Sequence, residues 1–238
     1  MMEKLSDKEC ILKENIEKIK YNITNALKPS GRKPEDITLV AATKTVSSDV
    51  INIAIKNGIN NIGENRVQEL ITKFADINTT NSKVHFIGHL QKNKVKDIVG
   101  KVDLIQSVDS LDLAKKISQL SNKLNMVTNI LVEVNIGNDQ NKFGIDKDHT
   151  AEILYNLSKL NGIKVWGLMS ILPICENKKD LYKYFGQMRQ LFIDIKRERI
   201  DNINMNFLSM GMSSDYIEAL ECGSNMVRIG SALFGARN

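Results

Sequence analysis

Lys44 closes a short apolar run, Leu39-Val40-Ala41-Ala42-Thr43-Lys44, of the kind that forms a buried strand. A lysine directly after such a strand is either a cation at the rim or a partly desolvated amine. In the second setting it loses its proton more readily and can attack a carbonyl to form a Schiff base. Far along the chain, Leu208-Ser209-Met210-Gly211-Met212-Ser213 and Val227-Arg228-Ile229-Gly230-Ser231 end two further strand-like runs. They supply hydroxyls, one guanidinium and glycine-flanked backbone N–H groups, a combination that cradles a phosphate. Ser209 and Ser231 can equally serve as caps of the helices that follow them. Asn65, in Gly63-Glu64-Asn65-Arg66, also ends a strand candidate and stands either at the same rim or at a helix cap. Together these positions point to a phosphorylated carbonyl compound. His85 and His89 have the i, i+4 spacing of a helical metal pair, but their segment reads as a strand entering a loop and no third ligand is evident. A structural or pocket-lining role without metal is expected for them. His149 lies at a helix start and is expected to face solvent, while Met210, Met212 and Met226 are expected to pack.

Positioning these residues requires a scaffold, and the chain alternates regularly. Residues 6–27 carry Ile11, Ile16, Ile19, Ile23 and Leu27 at helical spacing, and Lys28-Pro29-Ser30-Gly31 ends the helix. Strands are expected at 37–42, 61–63, 84–87, 104–107, 129–135, 164–169, 206–209 and 226–229. Helices separate them at 47–58, 65–75, 91–99, 110–123, 149–159, 178–198 and 214–221. Eight strands alternating with seven helices imply βαβ units and a parallel sheet, which suits a closed (β/α)₈ TIM barrel near its lower size limit. The competing open, doubly wound sheet lacks its G-x-G-x-x-G after the first strand. The expectation is one α/β domain over 1–238, with residues 1–32 as an N-terminal helical extension. In such barrels the site lies at the C-terminal strand ends and phosphate binds near strands seven and eight, where the residues above fall. Trp166, on the sixth strand, is expected to pack between barrel and helices.

The 238 residues are 42% hydrophobic and 26% charged, which excludes disorder as the main state. No stretch approaches the roughly 18 apolar residues of a membrane span, and the N-terminus lacks the apolar core of a signal peptide. Cys10, Cys175 and Cys222 are odd in number and scattered, so a reducing compartment without disulfides is expected. The chain is therefore expected to be soluble and cytoplasmic. Its net charge is +5, yet the densest basic cluster, Lys92-Asn93-Lys94-Val95-Lys96, lacks interleaved aromatics, so no nucleic-acid partner is expected.

Several segments resemble one family. Val40-Ala41-Ala42-Thr43-Lys44, Ile62 to Glu69, His85 to Lys94, Val134-Asn135-Ile136-Gly137, Gly167-Leu168-Met169-Ser170, Leu208 to Ser213 and Met226 to Gly235 are similar to the pyridoxal 5′-phosphate (PLP) homeostasis proteins, relatives of the alanine racemase N-terminal barrel. The resemblance runs from about Lys33 to Arg237. It implies a PLP-binding (β/α)₈ barrel with Lys44 as the Schiff-base lysine, Ser209, Gly230 and Ser231 at the phosphate, Arg228 facing the pyridine nitrogen, and Asn65 close to the cofactor. Thr43 stands where serine is common, and Phe143 replaces a small residue in a loop that can alter access to the pocket.

Arginine cannot accept a proton from the ring and disfavours a neighbouring positive charge, so the electron sink used by PLP enzymes is weakened. Resemblance to alanine racemase implies a second base from a C-terminal β domain, for which the sequence ends too early at Asn238. A PLP carrier or buffer without a dedicated substrate reaction is thus expected, with PLP-dependent apo-enzymes as recipients and a monomeric chain. The alternative is a weak PLP-dependent racemase or lyase.

Overall fold

Side chains alternate faces along a strand, and the apolar runs of this chain obey that rule on two surfaces. Ala41, Val227 and Ile229 point outward to the helices, whereas Val40 and Met226 point inward. The computed structural model describes residues 2–139, 141–175 and 177–235. Its strands are β1 (Thr38–Ala42), β2 (Asn61–Glu64), β3 (Lys83–Phe86), β4 (Leu104–Val108), β5 (Thr128–Asn135), β6 (Ile145–Asp146), β7 (Ile163–Met169), β8 (Ile203–Met212) and β9 (Met226–Ile229). All pairings are parallel, and contact between β4 and β5 closes the order β4-β3-β2-β1-β9-β8-β7-β5 into the expected eight-stranded barrel. The two-residue β6, absent from the sequence-based expectation, extends the C-terminal end of β5.

The helices are α1 (Met2–Leu27), α2 (Ser48–Lys56), α3 (Val67–Phe74), α4 (Val95–Ile98), α5 (Leu111–Lys123), α6 (Thr150–Ser158), α7 (Lys178–Glu198), α8 (Tyr216–Glu221) and α9 (Ser231–Phe234). The stretch expected as one helix at 91–99 divides into a 3-10 turn at Lys92–Lys94 and the single turn α4. Helix α1 is no loose appendage. Leu12, Ile16, Ile19, Ile23 and Leu27 bury one face in the main core, and Asn15 and Asn22 donate to Leu233 O and the Tyr216 hydroxyl, both at 2.9 Å. Leu12 takes the buried position expected of Ile11, which is exposed. Among the described residues no helix is long and apolar enough to cross a membrane, and all three cysteines are free.

Two apolar cores result. The larger fills the space between strands and helices, and the smaller, Val40, Leu104, Leu131, Met169 and Met226, lies inside the barrel. Trp166 departs from expectation, because it packs against this inner cluster and its Nε1 donates to Asn129 Oδ1 at 2.7 Å. Ile163 and Val165 face the outer core, so strand alternation alone turns Trp166 inward. Gly167 has φ +146°, and a Cβ there would lie 1.9 Å from Phe207 O, so the chain approaches β8 too closely for any other residue. An extra β7 residue opposite β5, between Val165 and Leu168, then turns Met169 inward as well. Gly167→Ala is therefore expected to cost about 3 kcal/mol, read as a lower urea midpoint. Gly186→Ala, with open space around an exposed helical glycine, should be neutral or stabilising by up to about 1 kcal/mol.

Candidate functional site

Lys44 follows β1 in a turn whose next residue, Thr45, has φ +65°, a costly conformation for a β-branched residue. Neighbouring side chains hold it there. Thr45 N–H donates to Glu69 Oε2 at 2.8 Å, and Lys73 Nζ bridges Glu69 (3.0 Å), Glu64 (3.1 Å) and Thr43 O (3.3 Å). Thr43 Oγ1 lies 3.2 Å from Glu64 Oε2, so the threonine found in place of serine keeps its hydroxyl in use. The clamp fixes the backbone and leaves the amine alone: among the described residues Lys44 Nζ has neither a hydrogen bond nor an ion pair, and the side chain is half-buried.

Register brings β9 alongside. Val40 pairs with Arg228 and Ala41 with Ile229, so Gly230 and Ser231 emerge beside the Lys44 turn. Lys44, Gly230 and Ser231 share one cavity of about 550 Å³, bounded also by Ala42, Val46 and the α1 residues Lys8, Ile11 and Leu12. Ser213, at the end of β8, accepts from the N–H groups of Gly230 (3.0 Å) and Ala232 (3.2 Å) on one hydroxyl oxygen. Two N–H groups converging on one oxygen suit an oxyanion. The turn before Ser213 needs its glycine, since Gly211 has φ +97° and a Cβ would lie 2.6 Å from Ala219 Cβ.

Below the rim the barrel interior is polar. Arg228 is 4% exposed; its guanidinium donates to Ser209 Oγ (2.7 Å) and Ser170 O (2.8 Å). Burial lowers its pKa to about 10, against the pull of Glu133 and Asp215. Ser209, 0% exposed, donates in turn to Gln106 Oε1 at 2.7 Å, and Gln106 Nε2 lies 2.8 Å from His85 Nδ1. Ser209 thus sits beneath Arg228 and is not on the cavity wall. Asn65 is half-buried at the end of β2 and also off that wall; among the described residues its side-chain amide has no partner. His89 stacks on Phe143 with ring centroids 3.6 Å apart and its Nδ1 lies 3.1 Å from Asp109, so Phe143 packs on the loop after β3. Among the described residues no cluster of His, Cys, Asp and Glu could hold a metal.

Ser213 stood in a motif read from the sequence, and His85 lines a cavity, within the structural or pocket-lining role expected of it. Glu133 and Gln106 go beyond the residues singled out from the sequence, yet a signal existed for both. Glu133 follows Leu131, and Gln106 follows Leu104, by two positions in apolar strands, which puts each on the inner face. Burial raises the Glu133 carboxyl to about 7, helped by Asp109 and opposed by Arg228.

The fold and rim define a (β/α)₈ barrel whose Lys44 amine, unpartnered among the described residues, shares a cavity with Gly230 and Ser231. A profile of the alanine racemase N-terminal domain matches residues 15–238. The pyridoxal phosphate homeostasis protein of Aquifex aeolicus is 39% identical over 94% of this chain and 97% of its own. The solved structure of PipY of Synechococcus elongatus, with PLP bound, superposes with a TM-score of 0.79 at 31% identity, over 90% of this chain and 100% of that one. Alanine racemase of Clostridium difficile shares the fold, with a TM-score of 0.76 at 19% identity over 95% of this chain and 59% of its own. The chain belongs to the pyridoxal phosphate homeostasis protein family.

Two buried groups oppose each other in their effect on stability. Glu133 holds its proton more tightly folded (about 7) than at its ordinary 4.5, so its contribution is lost as pH rises from 4.5 to 7. Burial lowers His85 from 6.5 to about 4, so its contribution is lost as pH falls from 6.5 to 4. The slopes cancel between 4.5 and 6.5. Glu133→Gln should leave stability rising with pH across that window and add about 2–3 kcal/mol at pH 8, relative to wild type, with little change at pH 4.5. Urea midpoints at the two pH values check this.

Proposed function

We propose that the protein binds pyridoxal 5′-phosphate at the barrel mouth and acts in its cytoplasmic homeostasis as a carrier or buffer. The observation that carries this reading is the unpartnered Lys44 amine on the same cavity as Gly230 and Ser231. Bound PLP supplies an aldehyde that captures amines and, in enzymes, a ring that stores electrons. Lys44 is placed to hold the aldehyde carbon as a Schiff base, with loss of one water. Attack on that carbon by the lysine of an apo-enzyme would release the Lys44 amine and pass PLP to that enzyme without chemistry at a substrate carbon. The phosphate fits the N–H groups of Gly230 and Ala232, with the Ser213 and Ser231 hydroxyls beside them. Ser209, which the family resemblance assigns to the phosphate, is better placed to hold Arg228. Asn65 has an amide free to contact the ring.

Arg228 bears on how much chemistry bound PLP could support. A guanidinium that only donates, in a buried setting, disfavours a protonated pyridine nitrogen opposite it and so weakens the electron sink. A second reading, residual racemase-like activity, rests on Glu133, a buried carboxyl of the barrel interior that exchanges its proton near neutrality.

Borohydride reduction of the PLP-loaded protein followed by intact-mass measurement is expected to give one adduct on Lys44 and none on Lys44→Ala. Ser213→Ala should weaken PLP binding by about tenfold and leave the adduct site unchanged. Mixing the loaded protein with an apo-enzyme should restore that enzyme's activity. Deuterium wash-in at Cα of alanine should not exceed that of free PLP; a large excess abolished by Glu133→Gln would favour the racemase reading.

A further inference from the structure

The hydrogen bonds beneath Arg228 form a chain that can run in one direction only. Arginine only donates, so Ser209 Oγ must accept from it and direct its own proton elsewhere. The only other partner of that buried hydroxyl among the described residues is Gln106, whose amide must therefore present its oxygen to Ser209, at 2.7 Å. The amide nitrogen then faces His85 Nδ1 at 2.8 Å and donates to it. His85 is left as the neutral tautomer with its proton on Nε2. No buried side-chain nitrogen or oxygen among the described residues lacks a partner, so Nε2 opens to a cavity of about 360 Å³ at the barrel foot, which His85 lines together with Lys83, Asp103 and Trp166.

We propose that His85 and Gln106 are positioning residues for Arg228, joining β3 and β4 to β8 and β9 through the barrel axis and holding the guanidinium at the face the cofactor ring would meet. That last clause rests on the PLP reading above; the chain itself does not. Protonating His85 would put a donor on Nδ1 against the Gln106 NH₂. The amide would have to turn over, and the Ser209 hydroxyl, 0% exposed, would lose its acceptor. Burial opposes the same protonation, as does Lys83 nearby, while Asp103 favours it. His85 is 3% exposed, so solvent contributes little relief.

The test begins without cofactor. In ¹⁵N-labelled protein, long-range ¹H–¹⁵N spectra resolve the three histidines. His85 is expected as the Nε2–H tautomer, without titration between pH 5.5 and 8. Gln106→Glu accepts from both neighbours and should convert His85 to imidazolium at pH 7 while keeping the Arg228 side-chain N–H resonances. Gln106→Leu removes the link and should broaden or abolish those Arg228 resonances. An Nδ1–H tautomer in the wild type overturns the proposal, as do Arg228 resonances unchanged in Gln106→Leu. Should the leucine variant not fold, an unaltered His85 in the near-isosteric Gln106→Glu is the overturning result.

With PLP added, Gln106→Leu should shift the pH midpoint of the bound cofactor's absorption band and weaken binding by no more than about tenfold; an identical pH profile overturns the coupling to the site. Wild-type protein that binds no PLP overturns the cofactor reading, and the tautomer and Arg228 resonances then decide by themselves whether the hydrogen-bonded chain exists.

Discussion

A guanidinium buried inside a barrel is stable only where each face of its charge is met by acceptors, and the upper half of this barrel is organised around that demand. Arg228 finds an uncharged hydroxyl and a backbone carbonyl at hydrogen-bond distance, and two carboxyl groups, Glu133 and Asp215, near enough to favour its charge without pairing at short range. The barrel is thereby divided. One part of its interior is Val40, Leu104, Leu131, Met169 and Met226, the branched and flexible apolar packing that specifies the fold. The other part is polar, His85, Gln106, Glu133, Ser209 and Arg228, and specifies what the mouth can hold.

A second constraint acts at the rim. The charges of Glu64, Glu69 and Lys73 are spent on the backbone of the Thr43–Thr45 turn, so the strained Thr45 conformation is held while Lys44 keeps an amine with no competing partner among the described residues. Across the β1–β9 pairing, the Gly230 and Ala232 N–H groups are met by the Ser213 hydroxyl. An anion arriving there competes with one neutral acceptor. Rigid backbone and loosely engaged functional groups are the combination expected of a site that must bind and release.

Much of this was legible in the chain. The alternation of apolar runs and helical stretches led to the barrel, and the helix at Lys178–Glu198 has the expected bounds. Lys44, Gly230 and Ser231 were visible because each follows an apolar strand. Trp166 was misplaced although alternation with the outward Ile163 and Val165 turns it inward. The inward Met169 follows instead from the extra residue at Gly167, which breaks the two-residue period. Ser209 and Ser213 belong to one motif, and their different depths follow from the curvature of β8 and the Gly211 turn, which spacing alone does not reveal. The Arg228–Ser209–Gln106–His85 chain joins residues far apart in sequence, and only barrel closure makes them neighbours.

The central claim is that Arg228 confronts the cofactor's ring nitrogen with a donor that cannot take its proton. The most direct measurement is the ¹⁵N chemical shift of ring-labelled PLP bound to the protein, followed from pH 6 to 9 in wild type and in Arg228→Glu. The account predicts an unprotonated ring nitrogen throughout this range in wild type and a protonated one in the glutamate variant. A protonated nitrogen at neutral pH in the wild type would contradict it.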